Sequence, residues 1–171
     1  MKKLALLFLS ISVLSSCGGD KKKGGEENTP VVKDNFSIVF QGTYEKDDEI
    51  NLQYKKEGGY MDYDHPLLYK VTGQPNPQQF TIDLPEGLAL ENIQFYLSTN
   101  KEQKTVQLKN VSIMNNGKKV LDGDNFAYMK FFAGNPGVIM DEKNQRFNLN
   151  FEGKFPPGFT GNQELEALLV E

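Results

Sequence analysis

Aromatic and acidic side chains are concentrated in one short stretch of this chain. The candidate ligand-binding residues are Tyr54, Tyr60, Asp62, Tyr63, Asp64, His65 and Tyr69. Sugars present apolar C–H faces that stack on aromatic rings, and hydroxyls that pair with carboxylates and amides, so this mixture of side chains suits a glycan. The alternative is that the tyrosines fill the edge of a core and form local hydrogen bonds.

A histidine and several aspartates could in principle do catalytic or metal-binding chemistry. His65 is the single histidine of the chain, and it could act as a base, bind a metal or do neither. Because it precedes a proline in a loop, we expect a surface residue without a catalytic role. Two pairs of aspartates could offer oxygen atoms to calcium: Asp62 with Asp64, and Asp122 with Asp124. Calcium requires six to eight oxygens, whereas aspartates around a turn more often cap backbone amides.

Other catalytic and cofactor motifs are missing from the sequence. A single cysteine and a single histidine provide no paired metal ligands, and there is no glycine-rich phosphate loop. The acidic residues show no spacing that fixes two carboxylates for glycoside hydrolysis, and the chain has no tryptophan. The sequence therefore predicts a protein without catalytic residues or a cofactor, with calcium left open at the two aspartate pairs.

The N-terminus carries the features of an export signal. Lys2 and Lys3 precede an apolar stretch from Leu4 to Leu14 that is too short to span a membrane. The segment Leu14-Ser15-Ser16-Cys17-Gly18 resembles the lipobox of bacterial lipoproteins. The resemblance implies cleavage before Cys17 and attachment of palmitate-type acyl chains to that cysteine. Two or three such chains would anchor the protein durably in a bilayer. An ordinary unmodified cysteine is the alternative.

Charge and the residues after Cys17 refine the expected location. Removing two of the 19 basic residues leaves 17 against 23 acidic, a net charge of −6 that gives no reason to bind nucleic acid. Gly18, where retained enteric lipoproteins have Asp, implies by resemblance an outer-membrane lipoprotein. The mixed-charge segment that follows is similar to the surface-export signals of Bacteroidota lipoproteins, so the domain would face the periplasm or the cell surface.

Composition divides the chain into three parts. Residues 1–16 form the predicted signal peptide, residues 17–35 a lipidated tether, and residues 36–171 one domain. The tether has almost no apolar residues before Val31, so it cannot bury enough surface to become ordered and is predicted to be flexible. The remaining length suits one domain with a sizeable core.

The domain shows a period-two alternation of apolar and polar residues. The alternating apolar sets are Phe36, Ile38 and Phe40; Ile50, Leu52 and Tyr54; Phe80, Ile82 and Leu84; Ile93, Phe95 and Leu97; and Phe147, Leu149 and Phe151. Each set predicts a strand with one buried face. Glycine- and proline-rich breakers between them, including Gln74–Pro77, predict eight to ten short antiparallel strands.

Four local features add detail to this interpretation. Asn116-Gly117 predicts a two-residue hairpin turn, and the change of apolar parity from Leu108 to Val111 predicts a β-bulge near Lys109-Asn110. The segment Phe126 to Phe132 is interpreted as a core strand. Asn162 to Val170 fits either a helix or a closing strand.

Many short strands with glycine and proline turns indicate an all-β, antiparallel two-sheet β-sandwich of jelly-roll character. The rhythm of strands and turns from Phe36 to about Phe151, with phrases such as Val106 to Ile113, resembles galactose-binding-like and carbohydrate-binding-module sandwiches, and this resemblance implies glycan binding. The leading expectation is a membrane-anchored, non-catalytic envelope lipoprotein that binds glycan. The alternatives are an envelope protein-interaction lipoprotein, docked by an edge strand or by the Phe155 to Phe159 loop, and a small hydrolase.

Overall fold

The computed structural model describes residues 33–170, which form two antiparallel β-sheets packed face to face. The first sheet has the order β4-β1-β6-β10-β9, with β7 paired to β6; the second has the order β3-β2-β5-β11-β8. The predicted two-sheet β-sandwich is confirmed. The chain crosses repeatedly from one sheet to the other, since β1, β4 and β6 lie in the first sheet and β2, β3 and β5 in the second.

The eleven strands found among residues 33–170 exceed the eight to ten expected by one. The first sheet contains β1 (Phe36–Tyr44), β4 (Gln74–Asp83), β6 (Thr105–Asn115), β7 (Lys118–Leu121), β9 (Val138–Asp141) and β10 (Arg146–Leu149). The second contains β2 (Asp48–Lys56), β3 (Leu67–Val71), β5 (Leu90–Tyr96), β8 (Phe132–Gly134) and β11 (Gly158–Gly161). In the part of the chain that the structure describes, no helix is long and apolar enough to cross a membrane.

The core lies between the sheets and is rich in phenylalanine. Phe40 of the first sheet stacks on Phe80 with ring centroids 5.3 Å apart, and meets Phe95 of the second sheet edge-on at 5.2 Å. Phe147 and Phe159 make a second edge-on contact between the sheets at 5.3 Å. Such edge-to-face pairs stabilise beyond the apolar area they bury, so they hold the two sheets in a fixed relation.

The predicted bulge and hairpin are both present. Gln41 of β1 pairs with Asn110 of β6, and the next residue, Gly42, pairs with Leu108, so Lys109 is the extra residue. Asn116 and Gly117 have positive φ values of 50° and 73°, as a tight hairpin turn between β6 and β7 requires.

Two sequence interpretations were wrong. Gln74–Pro77 does not break the chain but begins β4, which is tolerated because β4 is an edge strand where a missing N–H costs little. The segment interpreted as a strand from Phe126 is instead a kinked 3-10 helix, Asp124–Lys130, and only Phe132 enters a strand. Asn125 and Phe126 have positive φ values of 51° and 66°, which lie outside the extended region that strand residues adopt.

The C-terminal segment, for which the sequence fits either a helix or a strand, forms a helix, α1 (Gln163–Leu169). The Asn162 side chain caps it by accepting hydrogen bonds from the backbone N–H groups of Glu164 (3.0 Å) and Leu165 (3.2 Å). Leu165 is fully buried and attaches the helix to the second sheet.

Candidate functional site

The loop between β2 and β3, residues 57–66, carries most of the predicted ligand-binding residues and is tied to the sheet. Met61 forms an isolated bridge with Lys55, and the Asp62 N–H donates to the Tyr54 carbonyl at 3.0 Å. These bonds fold the start of the loop back along the end of β2. Tyr60 and Tyr63 on this loop are 94% and 60% exposed.

Asp62 organises the following turn. Its carboxylate accepts the backbone N–H groups of Asp64 (3.2 Å) and His65 (3.1 Å) and lies 3.2 Å from His65 Nδ1. Partial burial raises the pKa of Asp62, but the hydrogen bonds from His65 and Asp64 outweigh it, so the pKa lies below its ordinary value. Asp62 therefore acts as a turn cap with His65 as its exposed neighbour.

The second aspartate pair is likewise engaged in local contacts. Asp122 pairs with Lys119 Nζ at 2.9 Å, which lowers the pKa of its carboxyl, and Asp124 accepts the N–H of Asn125 at 2.9 Å. Within residues 33–170, no cluster of three or more His, Cys, Asp or Glu side chains could hold a metal. Asp62, Asp122 and Asp124 thus accept hydrogen bonds from nearby backbone amides, as the capping interpretation expects.

Two of the four tyrosines pack toward the core: Tyr54 is buried, which corrects its prediction as a ligand contact, and Tyr69 is partly buried against the core. Tyr54 lies on the inward face of β2 and is 7% exposed. Tyr69 stacks on Phe80 with ring centroids 4.7 Å apart. Ile50, Leu52 and Phe80 are buried as expected, so only Tyr60 and Tyr63 remain available as stacking surfaces.

Tyr63 borders a cleft on the outer face of the second sheet, which we call the aromatic–amide cleft. It has a volume of about 240 Å³. Its lining residues are Tyr63, Gln94, Tyr96, Asn135, Phe155 and Thr160. Strands β5 and β11 supply Gln94, Tyr96 and Thr160, while Tyr63, Asn135 and Phe155 come from three loops that meet at this face.

Strand register explains why these residues meet. Gln94 lies opposite Thr160, and Tyr96 lies opposite Gly158. A Cβ at Gly158 would approach Tyr96 Cδ1 to 2.8 Å and the Phe95 carbonyl oxygen to 2.4 Å, so the close approach of the Tyr96 ring requires glycine at this position. Tyr96 is only 8% exposed and lies against the sheet, whereas Phe155 is 54% exposed.

Hydrogen bonds hold the polar groups of the aromatic–amide cleft in place. Gln94 Nε2 donates to Tyr96 Oη at 2.8 Å, and Thr160 Oγ1 donates to Gln94 Oε1 at 3.2 Å. Asn135 Nδ2 donates to the Pro156 carbonyl at 2.7 Å, and Asn135 Oδ1 accepts the Gly137 N–H at 2.9 Å. The site is therefore largely ordered before any ligand arrives, which lowers the entropic cost of binding.

The phenol groups add donors without adding charge. Burial raises the pKa of Tyr96, the hydrogen bond from Gln94 lowers it in part, and the neighbouring Tyr63 raises it again, so the net pKa lies above its ordinary value. Tyr96 is consequently a neutral O–H group at physiological pH. At the rim, Lys154 Nζ lies 5.2 Å from the centroid of the Phe155 ring, within the range of a cation–π contact.

No family model, curated protein or solved structure matches this chain.

A second cleft, of about 470 Å³, differs from the aromatic–amide cleft in the residues that line it. It is lined by Asp47, Asp48, Glu49, Lys70, Val71, Thr72, Thr99 and Asn100, with no aromatic ring among them. The Asp48 carboxylate is already occupied, since it accepts from Ser98 Oγ (2.5 Å) and from the N–H groups of Thr99 and Asn100 (both 3.1 Å). This acidic cleft lacks a stacking surface, so it suits a glycan less well than the aromatic–amide cleft.

Of the seven residues that the sequence predicted for ligand binding, only Tyr63 lines the aromatic–amide cleft. Tyr60, Asp64 and His65 are exposed on the same loop, and Asp62 caps its turn. Four residues of the cleft lining were not predicted from the sequence: Gln94, Tyr96, Asn135 and Thr160. The available signal was the outward position of Gln94 and Tyr96 in the alternation of β5, but nothing local indicated that three distant loops converge on them.

Proposed function

We propose that this protein is a non-catalytic, lipid-anchored lipoprotein of the bacterial cell envelope that binds glycan in the aromatic–amide cleft. The observation that carries the proposal is the combination, in one cleft, of two exposed rings with pre-ordered amide and hydroxyl groups. Tyr63 and Phe155 can stack on the apolar face of a sugar, while Gln94, Asn135 and Thr160 can bond its hydroxyls.

Anchoring is supported by the sequence alone. Cys17 and the lipobox around it lie outside the described residues, as does nearly all of the tether, residues 17–35. The first strand begins at Phe36, the residue at which the domain was predicted to begin. An outer-membrane lipoprotein, carrying the domain on the periplasmic or surface side, is the location that the signal sequence favours.

Substitution of the exposed rings tests the binding site. Tyr63→Ala and Phe155→Ala should each weaken glycan binding by about 1–3 kcal/mol, which is roughly fivefold to 150-fold in Kd, because each removes one stacking surface. Both side chains are largely exposed, so the melting temperature should change little. Binding can be screened on a glycan array and quantified by titration calorimetry.

Tyr60→Ala is the matched control, since Tyr60 lies on the same loop, is 94% exposed and does not line the cleft. It should bind as the unmodified protein does. Equal losses of binding in Tyr60→Ala and Tyr63→Ala, or no loss in either Tyr63→Ala or Phe155→Ala, would contradict the proposed site.

Assembly with another envelope protein is the second candidate function, and one observation favours it. Strand β9 pairs only with β10 among the described residues, and it exposes Ile139 to 52%. A free strand edge with an exposed apolar side chain can accept a strand from a partner. Ile139→Lys separates the two candidates, because it blocks this edge and should leave glycan binding unchanged.

A further inference from the structure

The side chains that line the aromatic–amide cleft carry no formal charge. They are two tyrosines, one phenylalanine, two amides and a threonine. The acidic net charge of the chain adds no attraction for an anionic ligand. Charged groups stand outside the lining: Lys154 Nζ lies 5.2 Å from the centroid of the Phe155 ring, and Asp62 and Asp64 flank Tyr63 in the chain.

The unused hydrogen-bonding capacity of the cleft is balanced between donors and acceptors. Tyr96 Oη accepts from Gln94, and among the described residues this is its only hydrogen bond, so its own hydrogen remains to be donated. Gln94 and Asn135 have each used one of their two amide hydrogens in the bonds described above. Thr160 donates its hydrogen to Gln94 Oε1, so its oxygen is left as an acceptor.

Such a set of groups discriminates among ligand chemistries. A carboxylate or sulfate offers only acceptors, and its charge would have to leave water without a cation among the lining residues to receive it. An ammonium offers only donors. A sugar hydroxyl both donates and accepts, so it can use the hydrogen of Tyr96 and the oxygen of Thr160 together.

The volume of the cleft limits the length of the ligand. At about 240 Å³ it is smaller than the 300–1,000 Å³ typical of pockets that enclose drug-sized molecules. A single sugar ring, at the end or on a branch of a longer chain, is therefore the unit that the cleft can contact closely.

We infer that the aromatic–amide cleft recognises one ring of a neutral glycan and rejects uronic acids, sulfated sugars and free amino sugars. This inference rests on the proposed glycan-binding function. It specifies in addition the charge class of the glycan and the number of sugar rings that the cleft binds.

The test uses trisaccharide probes of equal length that differ in charge. The neutral probes are trimers of glucose, galactose and mannose; trigalacturonate is the anionic probe, and the deacetylated chitosan trimer is the cationic one. Titration calorimetry should detect binding of a neutral probe only. Its Kd should change by less than about twofold between low and high salt, since no ion pair is formed.

Two variants test the polar groups themselves. Gln94→Glu replaces an amide donor with a charge, and Thr160→Val removes the hydroxyl acceptor at nearly constant shape; each should weaken neutral binding at least about tenfold. Gln79→Glu is the matched control. It makes the same substitution at an exposed residue of β4, in the first sheet and outside the cleft lining, so binding should be unchanged.

The outcomes distinguish a failure of the neutral-ligand inference from a failure of the proposed glycan-binding function. Salt-dependent binding of trigalacturonate or of the chitosan trimer overturns the neutral-ligand inference and leaves glycan binding intact. Neutral binding that survives both Gln94→Glu and Thr160→Val also overturns it. If no probe of any charge binds the unmodified protein, glycan binding itself fails and the inference fails with it.

Discussion

Two buried tyrosine hydroxyls in the core have opposite hydrogen-bonding states. Tyr128 Oη donates to the Leu108 carbonyl at 2.9 Å. Tyr44 Oη, which is also fully buried, has no hydrogen-bond partner among residues 33–170. Burial raises the pKa of both groups, so both remain protonated, and the unpaired hydroxyl of Tyr44 bears the cost of its lost hydration.

Removing each hydroxyl should therefore have a different effect on the free energy of unfolding. Tyr44→Phe should leave stability unchanged or raise it by about 1 kcal/mol, because it deletes a buried polar group that gains nothing. Tyr128→Phe should cost about 1–2 kcal/mol, since the Leu108 carbonyl loses its hydroxyl partner. Urea denaturation of both variants measures the difference.

Each variant serves as the control for the other, because both make the same chemical change at a fully buried ring. A loss at Tyr44 as large as that at Tyr128 would mean that the Tyr44 hydroxyl has a partner, such as an internal water molecule, in solution.

At the scale of the elements, the bulge in β6 keeps its apolar residues on the core side. Val106 and Leu108 precede Lys109, Val111 and Ile113 follow it, and all four apolar residues are fully buried. The partners of Asn110 and Leu108 on β1 are the consecutive residues Gln41 and Gly42. A strand without Lys109 would therefore pair regularly and keep the same buried face.

Deletion of Lys109 should be tolerated, at a cost of about 1–3 kcal/mol for the changed local twist. Deletion of Val39 from the regular strand β1 should unfold the domain, because it turns Phe36 and Ile38 from the core to the solvent face. Circular dichroism and urea denaturation of the two deletion variants provide the measurement. If both deletions unfold the protein equally, the bulge is required for folding and the register argument is wrong.

The sequence predicted those elements whose signal is local. Alternation of apolar residues located β1, β2, β4, β5 and β10, and the parity change located the bulge at Lys109. Asn116-Gly117 located a hairpin because its positive φ values are a property of those two residues themselves.

Elements set by tertiary context were not predictable in this way. Pro75 and Pro77 would break a central strand, and only the edge position of β4 accommodates them. Phe126 lies in an apolar segment that is typical of a strand. It nevertheless adopts a positive φ in the 3-10 segment that places Tyr128 in the core. The aromatic–amide cleft joins residues as distant as Tyr63 and Thr160, so no local pattern could show it.

At the scale of the whole molecule, lipidation of Cys17 would set where the domain works. Cys17 is the only cysteine, so Cys17→Ala should abolish fatty-acid labelling and leave a protein that no longer partitions into a detergent phase. The domain is described from Lys33 onward and holds its own core, so the variant should keep the melting temperature and ligand binding of the unmodified domain. Labelling of the Cys17→Ala protein at the normal level would refute the lipid anchor.

The pairing of β1 with β6 also has a consequence for how fast the domain folds. Phe36 faces Asn115, and Ile38 faces Ile113, so the central pair of the first sheet joins segments that are far apart in the chain. A long loop must lose its freedom before that pairing contributes any stability, and sandwiches of this kind fold in milliseconds to seconds, more slowly than helical bundles. Until β6 arrives, the apolar face of β1 and its unpaired backbone remain open to other chains, so aggregation competes with folding during this interval.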